Sequence, residues 1–250
     1  MTAALETTHL VRRFGGLLAT NDVSIRLEQG ARHALIGPNG AGKTTLINLL
    51  TGVLTPTSGR IVLEGADITT ASRARRVALG LVRTFQINQL FPGFTPLQTV
   101  GLAASRRLGL DRHMWRGIGS DKRVVEASVE VLERFDLIDV MDRPTASLPY
   151  GKQRLLEIAT AIACGPRVLL LDEPAAGVPE GERGEIMDGL AALPADVTVL
   201  LIEHDMDLVF RFADRISVLV AGALLLEGTA AEISTDPRVR EVYLGEAAHG

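Results

Sequence analysis

The stretch GPNGAGKT, residues 37–44, decides how the rest of the sequence is interpreted. It matches the spacing G-x-x-x-x-G-K-[ST], in which glycines let the backbone curl so that several N–H groups point at phosphate oxygens. It follows a strand pattern, RHALIG (32–37), and precedes a helical pattern over 43–52. A loop in this context binds phosphates. We therefore expect Lys43 to reach the outer phosphates and Thr44 to ligate Mg²⁺.

A second group with catalytic potential follows another apolar strand pattern. VLLLDEP, residues 168–174, places Asp172 and Glu173 directly after four apolar residues. In an open parallel sheet, ligands bind beyond the carboxyl ends of the strands. We expect Asp172 to hold Mg²⁺ opposite Thr44, and Glu173 to polarise an attacking water. An Asp-Glu pair that ends a strand is by itself usually a solvated turn. The phosphate-binding loop favours the catalytic role, because phosphoryl transfer depends on positioning and charge neutralisation.

Strand and helix patterns predict an α/β fold. VSIRL (23–27) and RIVLEG (60–65) alternate apolar and polar residues, as half-buried strands do. VLLLD (168–172) and VTVLLIE (197–203) are continuous apolar runs, which indicate a parallel sheet covered by helices on both faces. Further helices are predicted over 123–135, 182–193 and 205–213.

The middle of the chain has a different pattern. From about Ile87 to Pro144, strand patterns give way to helical ones such as RVVEASVEVLERF, in which valines and leucines recur about once per turn. We expect a single domain: a helical subdomain at 87–144 is inserted into an α/β core formed by 1–86 and 145–250. The first part of that core is predicted to be mostly β-strands.

The composition excludes some classes of function. The 250 residues carry a net charge of −4, whereas nucleic-acid-binding domains are usually basic, so we expect no nucleic-acid partner. The arginines at 73, 75 and 76 are interpreted as a solvated helix face. The single cysteine fits a reducing compartment. No apolar run approaches the ~20 residues of a transmembrane helix. We expect a cytoplasmic protein; at a membrane, other chains would do the spanning.

The order of the motifs resembles the nucleotide-binding subunits of ATP-binding cassette transporters. The resemblance covers essentially the whole chain, and it implies that the nucleotide is ATP, bound with Mg²⁺ and hydrolysed. The motifs that carry it are, in chain order, GPNGAGKTT (37–45), VRTFQ (82–86), SLPYGKQ (147–153), LLLDEP (169–174) and LLIEHD (200–205).

The resemblance also implies roles for individual residues. Gln86 stands at the position of the glutamine that senses Mg²⁺ and water, His204 at that of the switch histidine, and Phe14 at that of the aromatic stacked on adenine. Each has an ordinary alternative: Gln86 as a loop amide, His204 as a helix-capping histidine and Phe14 as a core aromatic. The residues implied to bind this chain's own nucleotide are Phe14, Gly37, Asn39, Gly40, Ala41, Gly42, Lys43, Thr44 and Thr45. Those implied to bind the partner's nucleotide are Leu148, Tyr150, Gly151 and Lys152.

In this family two subunits pair head to tail, and the signature motif of one faces the γ-phosphate of ATP held by the other. Here the usual LSGGQ is LPYGK, residues 148–152, which we call the signature stretch. Pro149 has neither a hydroxyl nor a backbone N–H to donate. Pro179 stands where the family often has an aspartate. Both departures concern the partner's ATP site, where Gly151 and Lys152 remain available.

Three sequence segments resemble one branch of the family in particular, the ATPase subunits of bacterial branched-chain amino acid importers. These segments are LPYG followed by LEIA, LLIEHDMDLVF (200–210) and VREVYLGEA (239–247). The implied partners are a second ATPase subunit, identical or different, two transmembrane permeases and an extracytoplasmic binding protein. The implied location is the cytoplasmic face of the membrane. Urea or short-amide uptake, lipopolysaccharide export and a non-transport ATPase of the superfamily are the alternatives.

The same resemblance predicts where a permease docks. Residues 87–96, with the helical subdomain, are expected to receive a cytoplasmic helix of the permease. Leu90, Phe91 and Phe94 suit a helix-in-groove contact. The alternative is that some of these three side chains pack in the core of the subdomain.

Overall fold

The computed structural model describes residues 3–84, 90–110 and 121–247. Within those ranges no helix combines the length and apolar character that a membrane crossing requires. Packing divides the chain into two compact units: the first contains residues 1–81, 167–170 and 195–250, and the second contains 82–166 and 171–194. The predicted division, 87–144 against the remainder, stays a prediction.

The first unit opens with an antiparallel sheet, as the strand patterns near the N-terminus predict. Its strand order is β2-β1-β5-β6, and β3 pairs with β1. The strands are β1 (Ala3–Phe14), β2 (Leu17–Val23), β3 (Arg26–Glu28), β5 (Ser58–Leu63) and β6 (Ala66–Asp67).

The prediction of one strand over 23–27 is wrong, because β2 ends at Val23 and β3 begins at Arg26. The side chain of Thr7 explains the break. Its hydroxyl donates to the Val23 carbonyl and accepts from the N–H of Ile25, at 3.0 Å in both cases. A buried side chain therefore replaces the backbone partner that a continuous strand would use at this point.

A six-stranded sheet has the order β11-β10-β4-β9-β8-β7. β4 runs parallel to both β9 and β10, which confirms the predicted parallel α/β architecture. The strands are β4 (Arg32–Ile36), β7 (Leu81–Arg83), β8 (Val168–Asp172), β9 (Thr198–Ile202), β10 (Arg215–Val220) and β11 (Ala223–Gly228).

Helix α1 (Lys43–Leu50) forms the centre of the first unit. Its leucines and isoleucine share one buried cluster with Leu5 and Ile61 of the antiparallel sheet and with Leu35 of the parallel sheet. Ile36, the next residue on β4, joins a separate cluster on the opposite face of that sheet. The helices after β9 are α7 (Met206–Phe212), α8 (Ala230–Thr235) and α9 (Pro237–Ala247). Side chains on α7 and α8 join this second cluster, so the sheet is covered on both faces, as predicted.

The interpretation of the arginine cluster as a solvated face is wrong for Arg76. Arg73 and Arg75 of helix α2 (Arg73–Ala78) are exposed, but Arg76 is only 2% exposed. Its guanidinium donates to the carbonyls of Leu49 and Leu50 at 2.7 and 2.5 Å. These carbonyls end α1 and have no partner within that helix. A buried cation therefore caps the helix that starts at the phosphate-binding loop, where the helix dipole favours it.

The second unit is mainly helical. α3 (Pro96–Arg107) starts with a capping box between Thr95 and Gln98, and the predicted helix over 123–135 is confirmed as α4 (Lys122–Arg134). α3 packs against both α4 and α5 (Tyr150–Ala163), and α5 packs against α6 (Arg183–Ala191). α5 and α6 thus belong by packing to the unit that contains the predicted helical insertion.

Candidate nucleotide-binding site

The phosphate-binding loop has a backbone that only glycine can follow. Gly42, immediately before α1, has φ +100°, and a Cβ there would lie 2.6 Å from the carbonyl oxygen of Ala19. A Cβ on Gly37 would lie 2.2 Å from the carbonyl oxygen of Leu219. Both distances are far below a normal contact, so the two glycines of the motif are structural requirements of the curled loop. Asn39, Gly40 and Thr44 lie on its exposed side.

Helix α1 begins at Lys43 with an N-terminus suited to an anion. Its first turn, KTTL, has no acidic side chain, and within the described ranges no side chain caps it. Such an N-terminus presents unsatisfied N–H groups and the positive end of the helix dipole. The Lys43 ammonium lies over the same loop, donating to the carbonyls of Gly37 and Pro38, the latter at 3.0 Å. The loop therefore gathers positive charge as the motif predicts.

His204 follows a strand that is the direct neighbour of the strand before the phosphate-binding loop. The loop follows β4, His204 follows β9, and the two strands are parallel neighbours, so both segments leave the sheet at the same edge. The His204 side chain is 66% exposed. The helix cap of α7 is Asp205, which accepts from the N–H groups of Asp207 and Leu208. His204 is therefore not the capping residue, which removes its ordinary alternative.

A buried glutamate that sequence reasoning missed supports His204. Glu203 is 1% exposed and accepts from the backbone N–H of His204 at 3.1 Å. Its carboxylate also lies 3.8 Å from Nδ1 of His204. A charged acceptor in this position holds the turn between β9 and α7. The only signal in the sequence is a glutamate at the end of an apolar strand, which does not distinguish it from a solvated residue.

In the second unit, Asp172 is a buried carboxylate with a dedicated cation. It is 6% exposed, and Oδ2 accepts from the Arg83 guanidinium at 2.5 Å. Its own backbone N–H donates to the Thr84 hydroxyl at 3.3 Å. A buried carboxylate needs such a partner, because an unpaired charge in the interior is costly. The sequence does not predict a role for Arg83. Its position in VRTFQ, three residues before Gln86, does not indicate that it contacts Asp172.

Glu173 has a backbone conformation that is rare for its type. Its φ is +47°, in the left-handed region that non-glycine residues occupy at a cost of about 1–2 kcal/mol. The turn is closed by the Ala176 N–H, which donates to the Glu173 carbonyl at 3.0 Å. Side chains held in this way concentrate at functional sites. The backbone of Glu173 is therefore consistent with the catalytic role predicted for its carboxylate.

The signature stretch is tied to the segment that follows β8. Helix α5 begins at Tyr150, and Leu148 before it is buried. The Tyr150 hydroxyl donates to the Ala176 carbonyl at 3.3 Å, and the Gly151 N–H donates to Oε2 of Glu182 at 2.6 Å. The N-terminus of α5 thus already holds a carboxylate from its own chain.

Lys152 has partners in its own unit. Its ammonium donates to the backbone carbonyl of Asp136 at 2.6 Å and to the Asp136 carboxylate at 3.2 Å. The Lys152 side chain is 13% exposed, and Asp136 has a left-handed φ of +53°. Lys152 therefore stabilises the turn that ends α4. The contact with a partner's phosphate that the resemblance implies stays a prediction.

The remaining predicted residues are only partly described. Gln86 and residues 87–89 lie outside the described ranges. Phe91 is 54% exposed, and its ring centroid lies 4.9 Å from that of Phe94, which is half-buried. An exposed phenylalanine at this position suits the predicted docking of a permease helix. Phe14, in the first unit, is 42% exposed, so it is not a core aromatic.

A family model described as ABC transporter matches residues 20–176. The chain belongs to the ABC transporter family. A second model, described as branched-chain amino acid ATP-binding cassette transporter, matches residues 223–249 of this ABC protein. The family assignment confirms the resemblance drawn from the motif order and makes the chain an ATP-binding subunit with the ATPase fold.

Two curated relatives and two solved structures illustrate the similarity. The chain is 41% identical to the high-affinity branched-chain amino acid transport ATP-binding protein BraF of Pseudomonas aeruginosa, over 97% of this chain and 98% of the relative. It is 39% identical to LivG of Escherichia coli K12, with the same coverage. The ADP conformation of MJ1267, an ATP-binding cassette of an ABC transporter, has a TM-score of 0.85 at 33% identity, with 98% of this chain and all of that one covered. A nucleotide-free cassette from an ABC transporter has a TM-score of 0.83 at 33% identity, with 97% and 99% covered.

The residues of this ABC ATPase fit a magnesium nucleotide. The loop at 37–42 leaves no room for side chains at its two fixed glycines, as a cradle for phosphate oxygens requires. The residues predicted to ligate the metal, Thr44 and Asp172, offer hydroxyl and carboxylate oxygens, which are the donors Mg²⁺ prefers.

Proposed function

We propose that this chain is the ATP-hydrolysing, energy-coupling subunit of an importer for branched-chain or other hydrophobic amino acids. The observation that carries the proposal is the identity of about 40%, along nearly the full length, to proteins named as branched-chain amino acid transport ATP-binding proteins. The match of residues 223–249 to a branched-chain amino acid cassette model supports it independently of the nucleotide motifs.

The proposed chemistry assigns one task to each group. Lys43 and the N–H groups of the loop at 37–45 bind the β- and γ-phosphates, and Phe14 stacks on the adenine. Thr44 and Asp172, with Gln86, would hold Mg²⁺, which would neutralise phosphate charge when bound. Glu173 polarises the attacking water. His204 contacts the γ-phosphate and is held in position by Glu203. Such groups act by positioning and by stabilising charge, which supplies most of the catalysis of phosphoryl transfer.

The proposed assembly contains two ATPase subunits, two permeases and a binding protein on the far side of the membrane. The chain is bound peripherally to the cytoplasmic face, through the segment that contains Phe91. The signature stretch completes the ATP site of the second ATPase subunit. Exposure of the Phe91 ring supports the docking surface, and the exposed Pro149 with the half-buried Tyr150 at the start of α5 supports the signature role.

ATPase stimulation tests the proposal. The chain would be purified with its second ATPase subunit and the permeases encoded beside it, reconstituted in liposomes, and assayed with the binding protein. Leucine-loaded binding protein is expected to stimulate hydrolysis, and Lys43→Ala is expected to abolish it. Stimulation by a urea-loaded binding protein, without stimulation by a leucine-loaded one, would show that the transported substrate is urea and not an amino acid. Absence of permease genes or of any stimulated activity would overturn transport.

A further inference from the structure

Arg12 stacks on the aromatic ring proposed to hold the adenine. Arg12 and Phe14 are two residues apart on β1, so their side chains lie on the same face of the sheet. The guanidinium carbon of Arg12 lies 4.5 Å from the centroid of the Phe14 ring. This distance is well inside the range of a cation–π contact, for which a planar guanidinium is well suited.

The guanidinium is anchored by a hydrogen bond to the segment that follows α1. Nη1 of Arg12 donates to the Thr55 carbonyl at 2.8 Å. The segment that contains Thr55 is itself tied to β1, because the Thr57 N–H donates to the Val11 carbonyl at 2.7 Å. Nε of Arg12 is buried and has no hydrogen-bond partner among the residues described. The orientation of the guanidinium is thus fixed by one hydrogen bond and by stacking on the ring.

The Phe14 ring nevertheless keeps accessible surface. The residue is 42% exposed although one face carries the guanidinium. The next two residues, Gly15 and Gly16, form the turn to β2. Apart from chain neighbours, no described atom lies within 4 Å of the position a Cβ would take on either glycine. The hairpin end is therefore open, and a flat ligand can reach the ring.

We propose that Arg12 is a positioning residue for the nucleotide base. It holds the Phe14 ring from one side and so presents the other side to a purine. The inference rests on the proposed function of Phe14 as the adenine platform, and it adds the residue that orders the platform. Arg12 therefore contributes to the base-dependent part of ATP affinity and leaves the phosphate-dependent part unchanged.

Binding of two ligands to the purified single chain separates these parts. The probes are Mg²⁺–ATP and Mg²⁺–tripolyphosphate, each measured by calorimetry. Arg12→Ala is expected to weaken ATP binding about two- to fivefold, the range of an exposed cation–π contact, and to leave tripolyphosphate binding unchanged. Arg13→Ala is the matched control: Arg13 is an exposed arginine next in the same strand, and it is expected to change neither.

A double mutant tests the route of the effect. With Phe14→Ala already present, Arg12→Ala is expected to cause no further loss, because the ring it orders is gone. Arg12→Gln, which keeps a donor for the Thr55 carbonyl, provides a second variant if Arg12→Ala folds poorly, and it is expected to show the same selective loss. Equal weakening of both ligands, or full additivity with Phe14→Ala, would overturn the role of Arg12.

The outcomes also separate this inference from the proposed function. Lys43→Ala is expected to weaken both ligands. If wild-type chain binds ATP tightly and Arg12→Ala leaves its affinity unchanged, the inference fails and the ATPase proposal stands. If the wild-type chain binds neither ligand, the proposed function fails first.

Discussion

The backbone N–H of Gly151 donates to the carboxylate of Glu182 across 2.6 Å, so the N-terminus of the signature helix is occupied by an acid from its own chain. A helix N-terminus attracts anions, and this one lacks the N–H that Pro149 cannot supply. If the γ-phosphate held by a second subunit binds there, as the proposed function requires, it competes with Glu182. The carboxylate is therefore expected to oppose the nucleotide-dependent pairing of the two subunits.

Glu182→Ala is expected to lower the ATP concentration needed for pairing with the second ATPase subunit. The readout is the solution mass of the two subunits in a Glu173→Gln background, in which hydrolysis is blocked. The unpaired variant is expected to lose about 1 kcal/mol of stability, because it loses a charged cap at a helix N-terminus. Glu180→Ala, two residues away and exposed, is the control. Pairing that requires more ATP in Glu182→Ala would contradict the competition.

Arg83→Met is expected to destabilise the metal-free chain by about 3 kcal/mol, because it leaves the buried Asp172 carboxylate without its cation. Under the proposed function, Mg²⁺ bound with ATP would supply positive charge at the same carboxylate, so Mg²⁺–ATP is expected to raise the melting temperature more for the variant than for wild type. In the Asp172→Asn background the same arginine substitution is expected to cost little. An unchanged cost in that background would show that Arg83 acts through other contacts.

Arg76→Met is expected to lower the free energy of unfolding by roughly 3 kcal/mol in a urea titration, because it removes the guanidinium that donates to the carbonyls of Leu49 and Leu50 at the end of α1 and to that of Thr69. Burial also lowers the pKa of Arg76, but an arginine stays charged. Arg75→Met, one residue earlier and exposed, is expected to stay within about 0.5 kcal/mol of wild type. Similar losses in the two variants would refute the capping role.

Stability is expected to fall as the pH drops from about 6.5 to 4, in part through His33. Burial lowers the pKa of His33 to about 4; the charge of Glu227 acts in the opposite direction, and that of Arg215 in the same direction. The ring lies 2.8 Å from the Ser217 hydroxyl. The unfolded chain therefore takes up the proton first, and the stability present above pH 6.5 is lost by roughly 3 kcal/mol across this window. His33→Asn is expected to flatten this part of the pH dependence, and an unchanged pH dependence in that variant would contradict the contribution of His33.

The parts of the fold and site that the sequence predicts well are those with a local signal. The apolar runs at β8 and β9 predict these strands to within one or two residues, because burial on both faces selects apolar residues at nearly every position. The glycines of the loop at 37–42 are predictable because backbone geometry demands them. The family assignment can also be made from the sequence, because each motif is a short continuous segment and the order of the motifs is visible along the chain.

What the sequence does not predict depends on contacts between distant segments. Arg76 looks like its exposed neighbours, and only the end of α1 makes it a buried cap. Arg83 and Asp172 are 89 residues apart, and Gly151 and Glu182 are 31 apart. No periodicity or spacing rule connects such pairs. The break between β2 and β3 likewise depends on the hydroxyl of Thr7, a residue from another strand.

The most direct test of the central claim is uptake of radiolabelled leucine into proteoliposomes that contain the assembled importer, with ATP on the side of this subunit and the binding protein on the other. We predict uptake that requires ATP and is lost with Glu173→Gln, while valine and isoleucine compete and urea does not. Leucine uptake that persists in the Glu173→Gln assembly, or no leucine uptake from an assembly that hydrolyses ATP, would contradict the account.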